Sequence, residues 1–448
     1  MIAFVFAPVF AHGVGGRSDL PIPKWAAAWS GGAALIISFL LLYLLWPTPR
    51  LARASVGKVL ASYTRYLHDV IVVVLRAFGL LLFATTLIAL WFGSVNSAEN
   101  IAPTMIYVIL WVGVAFASLV FGDLWQALNP FDTLAAIAGF ARARVWRRTP
   151  EALDDDGTIA MSYWPAVVGL FAFMWLELCY HDRSDIRRLA FIVTTYSVLV
   201  LTGAARYGRA WLRTGEAFGA YFGLIARMAP VTVDRDSRRL RVRPPFSALS
   251  TLTTRPGITM LVLVSLGGTT FDGISRTQFW QKVLETSTGW NYTFINTFGL
   301  IWMTGLVSIA YAIATTAAAW ITDADRYDAP ARYIHTLVPI AFAYEFAHYF
   351  TLLLYEGQDI FRLMSDPFGR AWNLFGTVDY VINFTLLSPN TISWAKIAGV
   401  IIGHIIAVTL AHDRAIEDSD HTLAVKSQLP MLAVMVAYTA TALWLLLA

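Results

Sequence analysis

Long apolar runs separated by short, Arg-rich polar segments dominate the chain. A helix that crosses a bilayer needs about 20 mostly apolar residues. Ten such runs can be drawn, near residues 26–46, 70–93, 104–122, 163–181, 189–205, 257–271, 295–320, 333–355, 394–412 and 431–448. The sixth is short unless residues 251–256 extend it. The expected fold is therefore all-α: a polytopic transmembrane helix bundle of about ten spans.

The polar segments add orientation. Of the 33 Lys and Arg, 22 fall in one alternate set of loops and 9 in the other. Cytoplasmic loops carry the excess of Lys and Arg, so the first set is expected in the cytoplasm, with both termini outside. On that reading residues 1–25 form an extracytoplasmic segment and 26–448 one bundle domain. The cytoplasmic loops are 123–162 and 206–256, and the longer outer loops are 272–294 and 356–393. In the first inner loop Trp125, Leu128, Phe131, Leu134 and Ile137 recur every three or four residues, and Pro130 opens or kinks a helix there. In the second, Trp211, Phe218, Phe222 and Ile225 share a face, with Arg209, Arg213 and Arg227 nearby. Both read as amphipathic helices lying on the inner leaflet. Residues 231–243 alternate around a polar centre and predict a short hairpin. The outer loop 356–393 holds Pro367, Gly369, Gly376 and Pro389 between aromatics, a pattern that suits a lid folded back over the outer mouth.

Composition sharpens this picture. Hydrophobic residues make up 57% of the 448 positions and charged residues 14%, against about 25% charged in soluble globular chains. An ordinary soluble enzyme and a disordered chain are both excluded. A net charge of +4 is too small to argue for nucleic acid. The expected partner is the lipid bilayer. The single cysteine, Cys179, rules out an intramolecular disulfide and a cysteine metal cluster. The first eleven residues, MIAFVFAPVFA, are apolar but lack a basic start. They read either as a cleaved leader ending at Ala11, which would leave His12 as the amino terminus, or as an uncleaved apolar tail.

Chemistry is expected where ionisable groups enter the apolar runs, because a charge at a helix centre costs about 2.5–3.5 kcal/mol and must face the bundle or water. Glu345 and His348 share a helical face in the eighth run, as Glu-Phe-Ala-His. Glu177 and His181 end the fourth, and His404 sits midway down the ninth, directly after Gly399-x-x-x-Gly403. Asp272 follows Gly-Gly-Thr-Thr-Phe at the outer end of the sixth. At about 1.5 Å per residue, His348 lies about 10 Å below the outer end, Glu345 and His404 about 15 Å and Glu177 about 6 Å. Imidazole and carboxylate together suit zinc or another first-row divalent metal. The candidate ligands are His348, Glu345 and His404, with His181 and His12 nearer the surface. Asp272 or Glu177 is the candidate base. For a single histidine in a span, a hydrogen bond between helices is the plainer reading. His412 is read as the close of the ninth span, where a cation complements the helix dipole.

Several strings together carry a resemblance: AHGVGGRSDLPIP, FGDLWQALNPF, TTFDGIS, AHYFTLLLYEGQ, SDPFGRAWNLFGT and GHIIAVTLAHDRAI. Over nearly the whole chain the sequence resembles bacterial polytopic membrane proteins named fenitrothion hydrolase. That resemblance implies a hydrophobic small-molecule partner, an organophosphorus (phosphorothioate) triester, hydrolysed with release of a nitrophenol in a bacterial inner membrane. It carries over no catalytic residue. Two functions from different classes follow. One is a metal-dependent membrane hydrolase, and the other a transporter or metal- or proton-handling permease that uses the same His and Glu cluster.

Overall fold

Residues 23–146, 162–234 and 237–446 are described by the computed structural model. The N-terminal segment with His12 lies outside the described residues. Element by element, α1 (Lys24–Leu45) is followed by the one-turn α2 (Leu51–Ala54), strand β1 (Lys58–Ser62) and α3 (Arg65–Phe92). The third rod joins α4 (Ile101–Pro103), a π-helical stretch (Thr104–Gly113) and α5 (Val114–Phe121). Then come α6 (Leu124–Leu128), α7 (Pro130–Trp146), α8 (Trp164–Leu178), α9 (Ile186–Tyr207) and α10 (Ala217–Ala226). Strands β2 (Val231–Asp234) and β3 (Arg239–Val242) precede α11 (Ile258–Ser275), α12 (Gln278–Leu284) and α13 (Gly289–Thr322). The chain ends with α14 (Ala329–Tyr333), α15 (Leu337–Tyr355), α16 (Ile360–Ser365), α17 (Pro389–Asp418) and α18 (His421–Leu446).

Among the described residues nine helices are long and apolar enough to cross a membrane. The chain is an all-α, multi-pass bundle. Nine of the ten predicted runs correspond to these helices. The remaining one is α8, whose 15 residues reach only about 22 Å. It sits inside the bundle against α10 and α11. The sixth span gains nothing from residues 251–256; it extends at its other end, so that Asp272 lies inside α11.

In lipid, helices associate through close contact rather than a hydrophobic drive, so small residues mark the interfaces. A Cβ at Gly267 would lie 2.5 Å from the Thr304 Cα, and one at Gly268 would lie 2.1 Å from the Met174 sulfur. These positions seat α11 on α13 and α8. The predicted Gly399 and Gly403 pair faces α15, where a Cβ at Gly403 would lie 2.4 Å from that of Ala343.

Three readings of the loops change. The helix of 217–226 does not lie on a leaflet: Phe218, Tyr221, Phe222 and Ile225 are all buried, and α10 packs against α5, α8 and α15. A helix that is apolar all round is a core element. Its start is fixed by Glu216, whose carboxylate accepts from the Phe218 and Gly219 amides, the Trp125 indole and the Tyr196 hydroxyl. The predicted hairpin forms from β2 and β3, but it also recruits β1, giving the order β1-β3-β2. His412 is not at a helix end. α17 runs on to Asp418, and the buried His412 ring lies between the Gln428 side chain and the Trp46 carbonyl. The long loop after α15 docks on the turn after α3, where the Ser94 and Ile101 amides donate to Phe368 and Pro367 and Arg370 reaches the Phe92 carbonyl.

Candidate functional site

α15 supplies most of the site, because Tyr344, Glu345, His348 and Tyr349 all fall within two turns and all are buried. His348 faces α11, where its Nδ1 lies 3.2 Å from Asp272 Oδ2. A carboxylate only accepts, so Nδ1 carries the hydrogen and a neutral ring leaves its lone pair on Nε2. Arg276, one turn beyond Asp272, donates to both carboxylate oxygens at 2.9 and 3.0 Å. Lys396 of α17 lies within electrostatic range of the same carboxylate. Tyr349 lies close to the Glu177 carboxyl, and Arg183 donates to the Glu177 backbone carbonyl at 3.0 Å. These groups form the upper level, nearest the loops after α11 and α15.

A second level lies deeper. Tyr221 of α10 donates to Glu345 Oε2 at 2.7 Å and accepts from Ser265 at 3.2 Å. Trp111, carried by the π-helical stretch, stacks on Tyr221 with ring centroids 5.3 Å apart. α10 thus reaches Glu345 through Tyr221, and the π-helical stretch backs that tyrosine through Trp111. On the other side of α15, Tyr344 stacks on His348 and contacts Tyr438 and His404. His404 Nδ1 donates to the Val400 carbonyl at 2.8 Å. Among the described residues Glu345 Oε1, Glu177 Oε2 and His404 Nε2 have no hydrogen-bond partner.

The predicted residues therefore separate into contacts of different kinds. Asp272 and His348 meet directly. Glu345 and Glu177 are near enough to repel each other. His404 joins them only through Tyr344 and Tyr438. His181 stands apart at the end of α8, where its Nδ1 lies 2.8 Å from the Thr293 hydroxyl and its Nε2 3.2 Å from Asp182. Among the described residues no three His, Cys, Asp or Glu side chains are grouped to hold an ion. Nδ1 of His348, Oε2 of Glu345 and Nδ1 of His404 each meet another protein group, which leaves Nε2, Oε1 and Nε2 as the atoms these residues could offer to a ligand.

No known protein family, curated protein or solved structure matches this chain.

The sequence reading missed Arg276, Tyr221, Tyr344 and Tyr349. Arg276 had a signal: it stands four residues after Asp272, and continuing the sixth helix past Phe271 puts the two on one face. Tyr344 and Tyr349 flank the Glu-Phe-Ala-His string directly. For Tyr221 the all-round apolar character of 217–226 marks a core helix, but nothing local directs its hydroxyl to Glu345.

Glycine at position 273 leaves space beside the His348 ring. A Cβ there would lie 3.4 Å from Cε1 and 3.5 Å from Nε2, ordinary contact without overlap. Gly273→Ala should therefore occupy the approach to Nε2 without forcing the helices apart. Alanine is favoured over glycine in a helix interior by about 0.5–1 kcal/mol. We expect a melting temperature at or above the parent's, with turnover lowered about tenfold to a hundredfold by displacement of the reactants. Thermal unfolding in detergent and a rate assay on the same sample check both halves.

Proposed function

We propose that this protein is an integral-membrane hydrolase of apolar organophosphorus triesters, with His348 as general base and Asp272 as the group that positions it. The observation that carries this reading is the buried Asp272–His348 pair at 3.2 Å, with Arg276 on the same carboxylate. His348 Nε2 takes a proton from water as the water oxygen bonds to phosphorus. The bond from phosphorus to the aryl oxygen breaks, and the aryloxide leaves with the electron pair. Asp272 holds the ring in the tautomer with a free Nε2 and stabilises the imidazolium that forms, and Arg276 fixes the carboxylate. The substrate class comes from the sequence resemblance and from chemistry: an apolar triester dissolves in lipid and reaches a site inside a bundle laterally.

The distribution of polar groups supports a site over a conduit. Below Tyr344, α15 reads Leu-Val-Pro-Ile-Ala-Phe-Ala, and below His404, α17 reads Ile-Ile-Ala-Val-Thr-Leu-Ala. The polar groups around Glu345, His348 and His404 thus meet an apolar stretch of about two turns, which on α17 separates them from the buried His412 and Asp413. The proposed setting is a bacterial inner membrane with the site toward the outer face and the Arg-rich loops inside.

The reaction is tested with protein in nanodiscs supplied with a nitrophenyl phosphorothioate triester in water enriched in oxygen-18. The expected result is label in the phosphorus product and none in the nitrophenol. Label in the nitrophenol would overturn attack at phosphorus. Absence of hydrolysis, together with proton or metal-ion flux in liposomes, would replace the proposal by the transporter reading.

A further inference from the structure

The segment between α1 and α3 has no role in the site described above, yet the bundle spends two buried polar groups on holding it. Asp413 of α17, 2% exposed, accepts from the Trp46 indole at 2.9 Å and from the Arg50 amide at 2.7 Å, and the Leu51 amide lies 3.2 Å from its other oxygen. His412 faces the Trp46 carbonyl at 3.1 Å. All of these contacts go to the indole or to the main chain, so the Arg50 and Arg53 side chains are left for something else. Both line an open surface groove with Thr48, Pro49 and Ala54. Among the described residues neither guanidinium forms an ion pair with an acid. Arg50 lies over the Trp46 ring, 5.0 Å from its centroid.

A few residues further along the chain comes the edge strand β1, every residue of which is exposed. Val56, Val59 and Leu60 are 63%, 47% and 66% exposed. Lys58 stands among them. The segment thus combines three exposed apolar side chains, three cations and an interfacial Trp, directly beyond the end of a 22-residue apolar helix. Apolar side chains that enter the acyl boundary beside basic groups that meet headgroups are the two terms of interfacial lipid binding.

We propose that residues 46–60 form a binding site for an anionic lipid, with the headgroup phosphate between Arg50 and Arg53 and the apolar side chains of β1 in the acyl boundary. The reading moves the lipid-surface role from residues 217–226, which the fold buries, to this segment. Charge complementarity selects the occupant: two guanidiniums suit a phosphodiester without a neutralising cation, such as phosphatidylglycerol, and discriminate against the zwitterionic phosphatidylcholine.

Native mass spectrometry of the full-length protein in detergent, with phosphatidylglycerol or phosphatidylcholine added at matched concentrations, tests this. The parent should retain phosphatidylglycerol in preference to phosphatidylcholine. Each of Arg50→Gln and Arg53→Gln should weaken that retention roughly fivefold, since one basic side chain contributes on that scale near an anionic surface. The pair Arg50→Lys with Arg53→Lys keeps the charge and should keep most of the preference, which separates lost binding from lost folding. Inorganic phosphate in excess should not displace the lipid, because it lacks the acyl chains. Equal retention of the two lipids, unchanged retention in the glutamine variants, or full displacement by inorganic phosphate would each overturn the proposal.

Discussion

Replacing His348 with Gln is expected to slow triester hydrolysis by about 10²–10⁴-fold, the usual contribution of a positioned general base. The glutamine side chain fills most of the space and still offers an N–H to Asp272, so the buried carboxylate keeps a partner beside Arg276. What it lacks is a basic lone pair where Nε2 stood. Asp272→Asn should cost a similar factor for a different reason. Its amide can donate to Nδ1, which moves the ring hydrogen to Nε2 and removes the lone pair from the reacting side. Arg276 then loses its ion pair, so this variant should also melt lower than the parent, whereas His348→Gln should not. Rates at saturating substrate and melting temperatures on the same preparations distinguish the two. Equal, parental rates in both variants would place the chemistry elsewhere.

The largest effect on folding is expected at Glu216. Its two oxygens accept from the Phe218 and Gly219 amides, the Trp125 indole, the Asn129 amide and the Tyr196 hydroxyl, and the residue is fully buried. Glu216→Ala leaves these donors facing a void, and each orphaned buried donor costs about 1–3 kcal/mol. The total is expected to exceed 3 kcal/mol or so, enough to unfold a marginally stable chain or strip α10 from the core. Tyr196→Phe removes one donor cleanly and should cost only about 1 kcal/mol. Unfolding monitored by circular dichroism in detergent checks the ratio. A Glu216→Ala variant as stable as Tyr196→Phe would show that the network is not what holds α10 in place. Because Tyr221 on that helix donates to Glu345, loss of α10 should also disturb the lower level of the site.

Much of this architecture is legible in the sequence because lipid enforces it. A backbone in hydrocarbon must satisfy its own hydrogen bonds, so long apolar runs are helices whatever their propensities. The Glu345 and His348 spacing on one face and the Gly399 and Gly403 approach to α15 follow from helical geometry alone. What escaped depends on tertiary override. Gly-Gly-Thr-Thr reads as a helix end by propensity, but burial against α8 and α13 keeps α11 helical through Asp272 to Ser275, and this brings Arg276 onto the carboxylate. The sequence 217–226 is apolar on every side, yet its flanking arginines drew it to a surface. Strand β1 pairs with a partner some 180 residues away, a contact no local pattern reveals. The separation of His404 from His348 by Tyr344 depends on rotations about the helix axes that depth along the chain does not encode.

The central claim is that His348 activates water in this bundle, and the most direct test is a paired rate measurement. Parent protein and His348→Gln, each in nanodiscs and matched for melting temperature, are given the same nitrophenyl triester, and nitrophenol release is followed with and without a chelator. The proposal predicts steady release by the parent and release at least about 10²-fold slower by the variant. Release by both at the same rate, or by neither, would contradict it.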